Sequence, residues 1–443
     1  VKAASPSSGF EATKTPSVAP LNSSARPTSV STTRGAPTTV TVWPPIAVRL
    51  SITHSTAGAC AAGSGVCAAH AATATHPDDP CYKPTGFAAS VCTMAYRWNL
   101  DYVSDVHGNA VAYYYAQAAT NRYAQFNGAT TGTYTRDSYL DHIDYGLPAA
   151  NAYAVATNRV VFTTSPRCTA SSCTPLSATT KDKWPDVPYD LVCATGATCA
   201  STSPVFFSTV RLTGISAQQY DPVAAKYVAV DSYTLTQTLP DATDHTSPTL
   251  WLSSITRTGT RTSSDGNGGG ATESITLPPV SFTPIALPNR VDTSVAAGLA
   301  PLYRYRIATV TTESGSVITP TYGLANPCAV PVTLAPEVNT SSCYPVYWTP
   351  GGYAQPIRDW FNSTTVPGID PTGGAPQAVT SYAYLGGAAW HFDDNELVKA
   401  KYRTYGQFRG YGQVKTFTGE ATTGPLTLAE TTFYRGMSKN NNT

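Results

Sequence analysis

Ten cysteines are the most chemically versatile residues in the chain: Cys60, Cys67, Cys81, Cys92, Cys168, Cys173, Cys193, Cys199, Cys328 and Cys343. Their number is even. They fall into five sequential pairs, each in a stretch rich in Gly, Pro, Ser and Thr. Such pairs can form disulfides, hold a metal or stay reduced. No CxxC occurs, which counts against a zinc site. Pairing neighbours (Cys60 with Cys67, Cys81 with Cys92, Cys168 with Cys173, Cys193 with Cys199, Cys328 with Cys343) closes short loops, and each bridge contributes ~2–4 kcal/mol. The expectation is disulfides, no metal, and therefore an oxidising compartment.

The carboxylates offer less. Asp393, Asp394 and Glu396 form the densest acidic cluster, and two of them could act as acid and base on a glycoside. The same residues open Asp393-Asp394-Asn395-Glu396-Leu397-Val398-Lys399-Ala400-Lys401, whose acidic start and basic end predict one short helix. That explains the cluster without catalysis. Asp265-Gly266-Asn267-Gly268-Gly269-Gly270 lacks the alternating oxygen ligands of a calcium loop and predicts a hairpin tip. His107 falls at a turn, and His142 falls on a strand beside Asp141 and Asp144. No nucleophile elbow and no Walker or Rossmann fingerprint accompanies them. No cofactor is expected and no residue is assigned to catalysis.

Two aromatic groups could bind rather than react. Lys399, Lys401, Arg403 and Arg409 interleave with Tyr402, Tyr405, Phe408 and Tyr411, a composition that can hold nucleic acid. Trp348, Tyr353 and Trp360 could form a carbohydrate platform. Against nucleic acid stands the overall balance of 28 basic and 27 acidic residues, net +1. That balance gives no long-range steering toward anions. The basic run is expected to make cation–π and stacking contacts inside a β wall. Asn22, Asn339, Asn362 and Asn441 open Asn-x-Ser/Thr sequons, which matter only in a glycosylating host.

The elements that must carry these residues are almost all strands. Charged residues are 12% of the chain, about half the roughly 25% usual for globular proteins. Thr, Ser, Tyr, Gly and Pro fill the gap, a mix that favours strands and turns. Residues 1–40 are Ser/Thr/Pro-rich and read as a linker or extended arm. Residues 41–95 read as a strand plus a Cys-rich loop. From 96 to 443 short strands alternate with turn signals. Trp98–Val103 turns at His107-Gly108-Asn109 and returns through Ala110–Tyr115. Tyr139–Tyr145, Arg159–Phe162, Val205–Ile215, Tyr227–Leu239, Tyr303–Val310 and Val317–Thr319 continue the pattern. No apolar run approaches the ~20 residues that cross a bilayer, so no membrane insertion by this segment is expected. No signal peptide opens the chain, and its start at Val1 reads as a processed or excised end.

Three segments resemble a known family. Trp98–Val103 with Asp105-Val106-His107-Gly108-Asn109 and Tyr113-Tyr114-Tyr115 resembles the D-x-x-G-N-x-x-x-Y-x-Y hairpin of bacterial Rhs/YD-repeat proteins. Tyr134-Thr135-Arg136 and Tyr139-Leu140-Asp141-His142-Ile143-Asp144-Tyr145-Gly146 resemble its R-Y-L-x-x-I-x-Y-G segment. Phe408-Arg409-Gly410-Tyr411-Gly412-Gln413-Val414 is similar to the F-R-G-F-G-x-V segment of Tc-toxin B components and their plasmid-virulence relatives. Tyr344–Pro350 and Trp390–Leu397 are similar to long Rhs proteins of high-GC Gram-positive bacteria. The resemblance runs from about residue 80 to 437. The dense tandem YD repeats and the protease-like closing core are missing, so the resemblance implies an upstream portion of such a protein.

It implies a hollow shell built from one winding β-sheet that encloses a C-terminal effector, with tyrosines stacking across neighbouring hairpins. Gly108 and Asn109 would supply the left-handed turn residues. The expected fold is therefore all-β, antiparallel hairpins winding into a curved wall with disulfide-stapled loops and at most short helices. The expected function is a non-catalytic section of a secreted or cell-surface shell that holds or presents a toxin cargo. Its partners would be the remainder of the shell and that effector. The second reading is an adhesin-like domain that binds carbohydrate, with cell-surface glycans as its partners.

Overall fold

A computed structural model gives the architecture. It describes residues 38–42, 46–51, 56–58, 84–85, 92–94, 99–117, 120–125, 128–262, 272–294, 298–372, 379–394, 398–419 and 424–437. Residues 1–37, Cys60, Cys67, Cys81 and the Asp265–Gly270 segment lie outside them, as do Asn22, Glu396 and Asn441; of Cys92 only the backbone is described.

Twenty-three strands are described. They are β1 Thr38–Val42, β2 Ile46–Ser51, β3 Thr56–Gly58, β4 Cys92–Met94, β5 Asn99–Ser104, β6 Asn109–Gln117, β7 Thr120–Gln125 and β8 Thr130–Thr135. There follow β9 Ser138–Pro148, β10 Asn158–Pro166, β11 Val210–Asp221, β12 Lys226–Thr238, β13 Trp251–Thr262, β14 Thr272–Thr276, β15 Val280–Pro288 and β16 Tyr303–Thr311. The last are β17 Val317–Gly323, β18 Cys343–Trp348, β19 Ile357–Asn362, β20 Thr365–Thr372, β21 Thr380–His391, β22 Gln407–Thr418 and β23 Thr427–Thr432.

Seventeen of these strands form one sheet. Every pairing in it is antiparallel, and each strand lies beside its successor in the sheet: β1–β2–β5–β6–β9–β10–β11–β12–β13–β15–β16–β17–β20–β21–β22–β23. Short β14 covers the upper half of β13, at Thr258–Thr262. The sheet does not close. Among the described residues β1 pairs only with β2, and β23 only with β22.

Register then decides where the long connections go. In an antiparallel pair the end of one strand lies beside the start of the next. Pro166 pairs with Val210, Pro288 with Tyr303, Gly323 with Thr365 and His391 with Gln407. Following the register from strand to strand puts all of these ends on one rim, together with Gln117–Ser138 and Ser51–Asn99. Every long insertion leaves from that rim. The opposite rim carries short turns, such as Asp105–Gly108, Pro222–Ala225 and Thr312–Ser316. All ten cysteines lie in sequence between strands joined at the elaborated rim.

Along much of their length the long strands are only partly buried. Every residue of β16 and nearly every residue of β11 is only partly buried. Hydroxyl pairs such as Thr258–Thr276 (2.9 Å) and Thr283–Thr309 link neighbouring strands. Aromatic pairs do the same: Tyr114 stacks on His142 at 4.2 Å, and Tyr220 meets Tyr227 edge-on at 5.2 Å. Cross-strand pairs of this kind contribute ~0.2–1 kcal/mol each.

Three sequence expectations change. Among the described residues of Asp393–Lys401 no α-helix is seen: Asp393 and Asp394 are irregular, and a 3-10 turn at Ala400–Tyr402 follows. The Asp393 backbone amide is held by the Thr404 carbonyl instead, so tertiary pairing overrides local propensity. Strand β11 starts at Val210 rather than Val205, because Val205–Phe207 pack against the β7–β8 hairpin. At the first turn Gly108 has φ +80°, but Asn109 already belongs to β6. Its side chain donates to Asp105 instead, at 2.7 Å.

Candidate functional site

The elaborated rim holds two lobes, each a hairpin with a loop laid over it. The first is β7–β8 covered by residues 167–209. Both leave the same rim from neighbouring strands, so they meet without threading. Asn121, buried on β7, reads the cover from both ends of its amide: Nδ2 donates to the Leu191 carbonyl at 2.9 Å, and Oδ1 accepts from the Cys193 amide at 3.0 Å. Tyr134 on β8 donates to the Val205 carbonyl and accepts from the Val205 amide. Arg136 donates to Thr209 and lies over the Phe207 ring at 4.3 Å. Burial lowers the pKa of its guanidinium against the pull of Asp137, the direction expected when a cation is desolvated. Two disulfides, Cys168–Cys173 and Cys193–Cys199, staple the cover to itself. Cys168, Cys173, Trp184 and Val187 form its small core.

The second lobe is β18–β19, with residues 289–302, 324–342 and 392–406 around it. Arg290 is buried; its Nε donates to Asp359 at 2.6 Å and its Nη1 to the carbonyls of Leu299 and Ala300. Here the disulfide Cys328–Cys343 ties the covering loop to the first residue of the hairpin. Ser342 and Asn326 exchange hydrogen bonds beside it. Trp390, 1% exposed, stacks on Tyr344 at 4.8 Å and abuts Phe408 at 5.0 Å. Tyr411 and Tyr384 complete the cluster. Burial raises the pKa of the Tyr344 hydroxyl.

On the strands that carry the first lobe, β6, β9 and β10, the wall has a charged seam. Arg159 on β10 donates twice to Asp144 on β9, at 2.6 and 2.9 Å, and stacks on Tyr227 at 4.1 Å. The hydrogen bond to Asp144 raises the pKa of the Arg159 guanidinium. His142 contacts Asp141 at 2.6 Å and lies 4.0 Å from Asp144. This is a cross-strand ladder in register: Tyr114 opposes His142, and Asp144 opposes Arg159. Its chemistry is that of a latch across three strands, since the carboxylate and the guanidinium satisfy each other.

The residues singled out in sequence fare unevenly. Cys168, Cys173, Cys193, Cys199, Cys328 and Cys343 join as neighbours; the other four cysteines fall outside the described bonds. Asp393 accepts from Gln407 at 3.1 Å, and Glu396 lies outside the described residues. The Trp348, Tyr353 and Trp360 platform does not assemble. Trp360 is buried, Trp348 packs edge-on against Phe361, and only Tyr353 is well exposed. Asn339 is 1% exposed and donates to the Cys343 carbonyl, so the folded chain offers no acceptor there. Asn362 spends its amide on the carbonyls of Pro288 and Arg290.

The basic run splits. Phe408 and Tyr411 enter the Trp390 cluster, Tyr405 meets Phe392, and Arg403 donates to the Val398 carbonyl. Lys401 lies over Tyr402 at 4.8 Å. Among the described residues no group of three or more His, Cys, Asp or Glu could hold a metal ion. No helix of the described residues is long and apolar enough to cross a membrane. Sequence reasoning missed Arg290, Asn121 and Asp144. Their decisive partners lie far along the chain, 69 residues from Arg290 to Asp359, 70 from Asn121 to Leu191 and 15 from Asp144 to Arg159, and no local pattern announces those pairings.

No protein-family model matches the sequence, and no curated protein matches it. Among solved structures the chain is similar to the crystal structure of TcdB2-TccC3, at 12% identity and a TM-score of 0.25. The match covers 75% of this chain and 15% of that one. A likeness of that strength carries no argument about function.

Proposed function

We propose that the chain is a structural section of a secreted or cell-surface shell of Rhs/YD type, whose wall encloses or presents a toxin or effector cargo and performs no chemistry itself. The strand order is the observation that supports this most. A wall that winds needs each strand beside its successor, all antiparallel, with both end strands open to more wall. A binding sandwich would fold its sheet onto a second one to bury a face. Here the faces of the long strands stay half-covered, and the buried clusters include those of the rim lobes. Disulfides on the rim fit export to an oxidising compartment. The partners in this reading are the remainder of the wall and the effector it holds.

Open edges recruit strands, and the last strand is exposed at every residue. Light scattering across a concentration series tests the reading. Association should grow with concentration and fall when Leu428 on β23 becomes Lys. A constant monomer mass at every concentration would sink the open-wall reading.

A further inference from the structure

We infer that the turn end of the β18–β19 hairpin is a binding site for a carboxylated glycan, with Arg358 as the anchor for the carboxylate. Register places Tyr347 and Arg358 directly opposite each other, on the same hairpin face as Pro345 and Trp360. Nearer the base that face is buried; at the turn end Arg358 is exposed. The Tyr402 ring comes within 5.4 Å of the Tyr347 ring, tilted by 49°. Lys401 lies over Tyr402 at 4.8 Å, and the Tyr402 hydroxyl donates to Gln355 at 3.2 Å. Tyr353 in the turn is exposed.

Some cations of the wall and lobes are held in ion pairs, and others are not. Arg159, Arg167, Arg257, Arg290 and Lys415 are each committed to a carboxylate. Arg358 and Lys401 carry no ion pair among the described residues. In a chain of net charge +1, two cations with no ion pair among the described residues, set beside two tyrosines, make a local demand for an anion. A guanidinium offers a planar fork that fits a carboxylate through two hydrogen bonds. The tyrosines offer apolar ring surface to the C–H face of a sugar, and the Gln355 amide nitrogen is a donor for a sugar hydroxyl.

Nucleic acid fits less well. Stacked bases need free ring faces in series, and Lys401 covers one face of Tyr402 while Tyr347 tilts away. The balanced net charge also removes the counterion-release drive that dominates nucleic-acid affinity. The site lies at the rim, and the assignment holds whether or not the sheet is part of a shell.

Calorimetric titration of the whole chain with oligogalacturonate, hyaluronan and polysialic acid tests it. At least one should bind, and the methyl-esterified, uncharged form of that glycan should bind about tenfold more weakly or worse. Arg358→Gln and Lys401→Gln should each weaken binding about tenfold with unchanged melting. Arg358→Lys, which keeps the charge and loses the fork, should fall between. Lys226→Gln, on the plain rim, should have no effect. The assignment is overturned by equal affinity for the esterified form or by Arg358→Gln that binds like the parent. Tighter binding of single-stranded DNA or phosphatidylserine vesicles also overturns it, as does failure to bind all three glycans.

Discussion

The two lobes solve one problem by different means. Each must hold a loop of some forty residues, or several loops together, against a two-stranded hairpin that could not stand alone in water. In the first lobe the cover is stapled to itself, with disulfides spanning 5 and 6 residues. Neutral hydrogen bonds from Asn121 and Tyr134 then dock it. In the second lobe the docking is itself covalent and ionic. A disulfide spanning 15 residues joins cover to hairpin, and a buried arginine ties the 289–302 loop both to itself and to the hairpin. The first cover is a preformed unit resting on the wall; the second exists as a unit only when assembled. Their responses to damage should therefore differ.

The largest difference is expected at the buried cations. Asp359→Leu strands the guanidinium of Arg290, whose side chain is 2% exposed and keeps only the carbonyls of Leu299 and Ala300 among the described residues. Stranding a buried charge costs ~3–5 kcal/mol, and denaturant titration should show that loss. Asp186→Leu in the first lobe releases Arg167, whose side chain is 29% exposed and can turn to water. Its cost should be about 1–2 kcal/mol. Equal losses would mean that the two covers are held alike.

The disulfides separate the lobes more finely. By loop-closure entropy a 15-residue bridge stabilises by about 3 kcal/mol, and a 6-residue bridge by about 2 kcal/mol. The sharper readout is where amide exchange rises. Without the Cys328–Cys343 bond, protection should drop across residues 324–342, including the Ser342 amide that bonds Asn326. Without Cys193–Cys199 it should drop only around the Ala194–Ala197 turn, while the Trp184 core and its bond to the Cys173 carbonyl persist. Loss of the whole first cover would erase the distinction.

Much of this wall is written locally in the chain, and little of the lobes is. Alternation in Tyr303–Val310 or Arg159–Phe162 sets a strand wherever it lies, and a turn such as Ser314-Gly315-Ser316 brings the next strand back beside it. A meander therefore follows from neighbours alone. Neighbouring cysteines in short loops are legible for the same reason. The lobes depend on which strand ends share a rim, and that depends on the summed register of the whole sheet. Trp360 looked like a surface platform because its local sequence cannot show that residues 289–291 come back to pair with it, through the Val291 amide on its carbonyl. Asp393–Lys401 carries a helix pattern that loses to its long-range bond with Thr404. Arg290 sits in a stretch with no periodic signal, yet it holds the second lobe.

The smallest expected differences lie at two glycines, and they test whether each hairpin is packed as tightly as its cover requires. Gly132 on β8 stands opposite Tyr123 on β7, and the tyrosine ring lies on the glycine: a Cβ there would sit 2.4 Å from ring atom Cε1. Tyr123 is fully buried and packs edge-on against Tyr134, whose hydroxyl holds Val205. The ring therefore has nowhere to retreat without moving the cover. Gly387, on β21 beneath the second lobe, has φ +68°, and a Cβ there would meet the Thr340 Cβ at 2.9 Å. Thr340 belongs to the covering loop and accepts from the Ala388 amide. Each glycine-to-alanine change should cost ~1–3 kcal/mol by overpacking. The two should respond differently to a second substitution. Tyr123→Leu should relieve most of the Gly132→Ala penalty, because the clash is with one side chain, and a double-mutant cycle would show strong coupling. Thr340→Gly, which removes the opposing Cβ, should relieve Gly387→Ala only in part, because the left-handed backbone penalty remains whatever stands opposite. Full relief at Gly387 would mean that the second cover yields as readily as a side chain, contrary to its covalent and ionic docking.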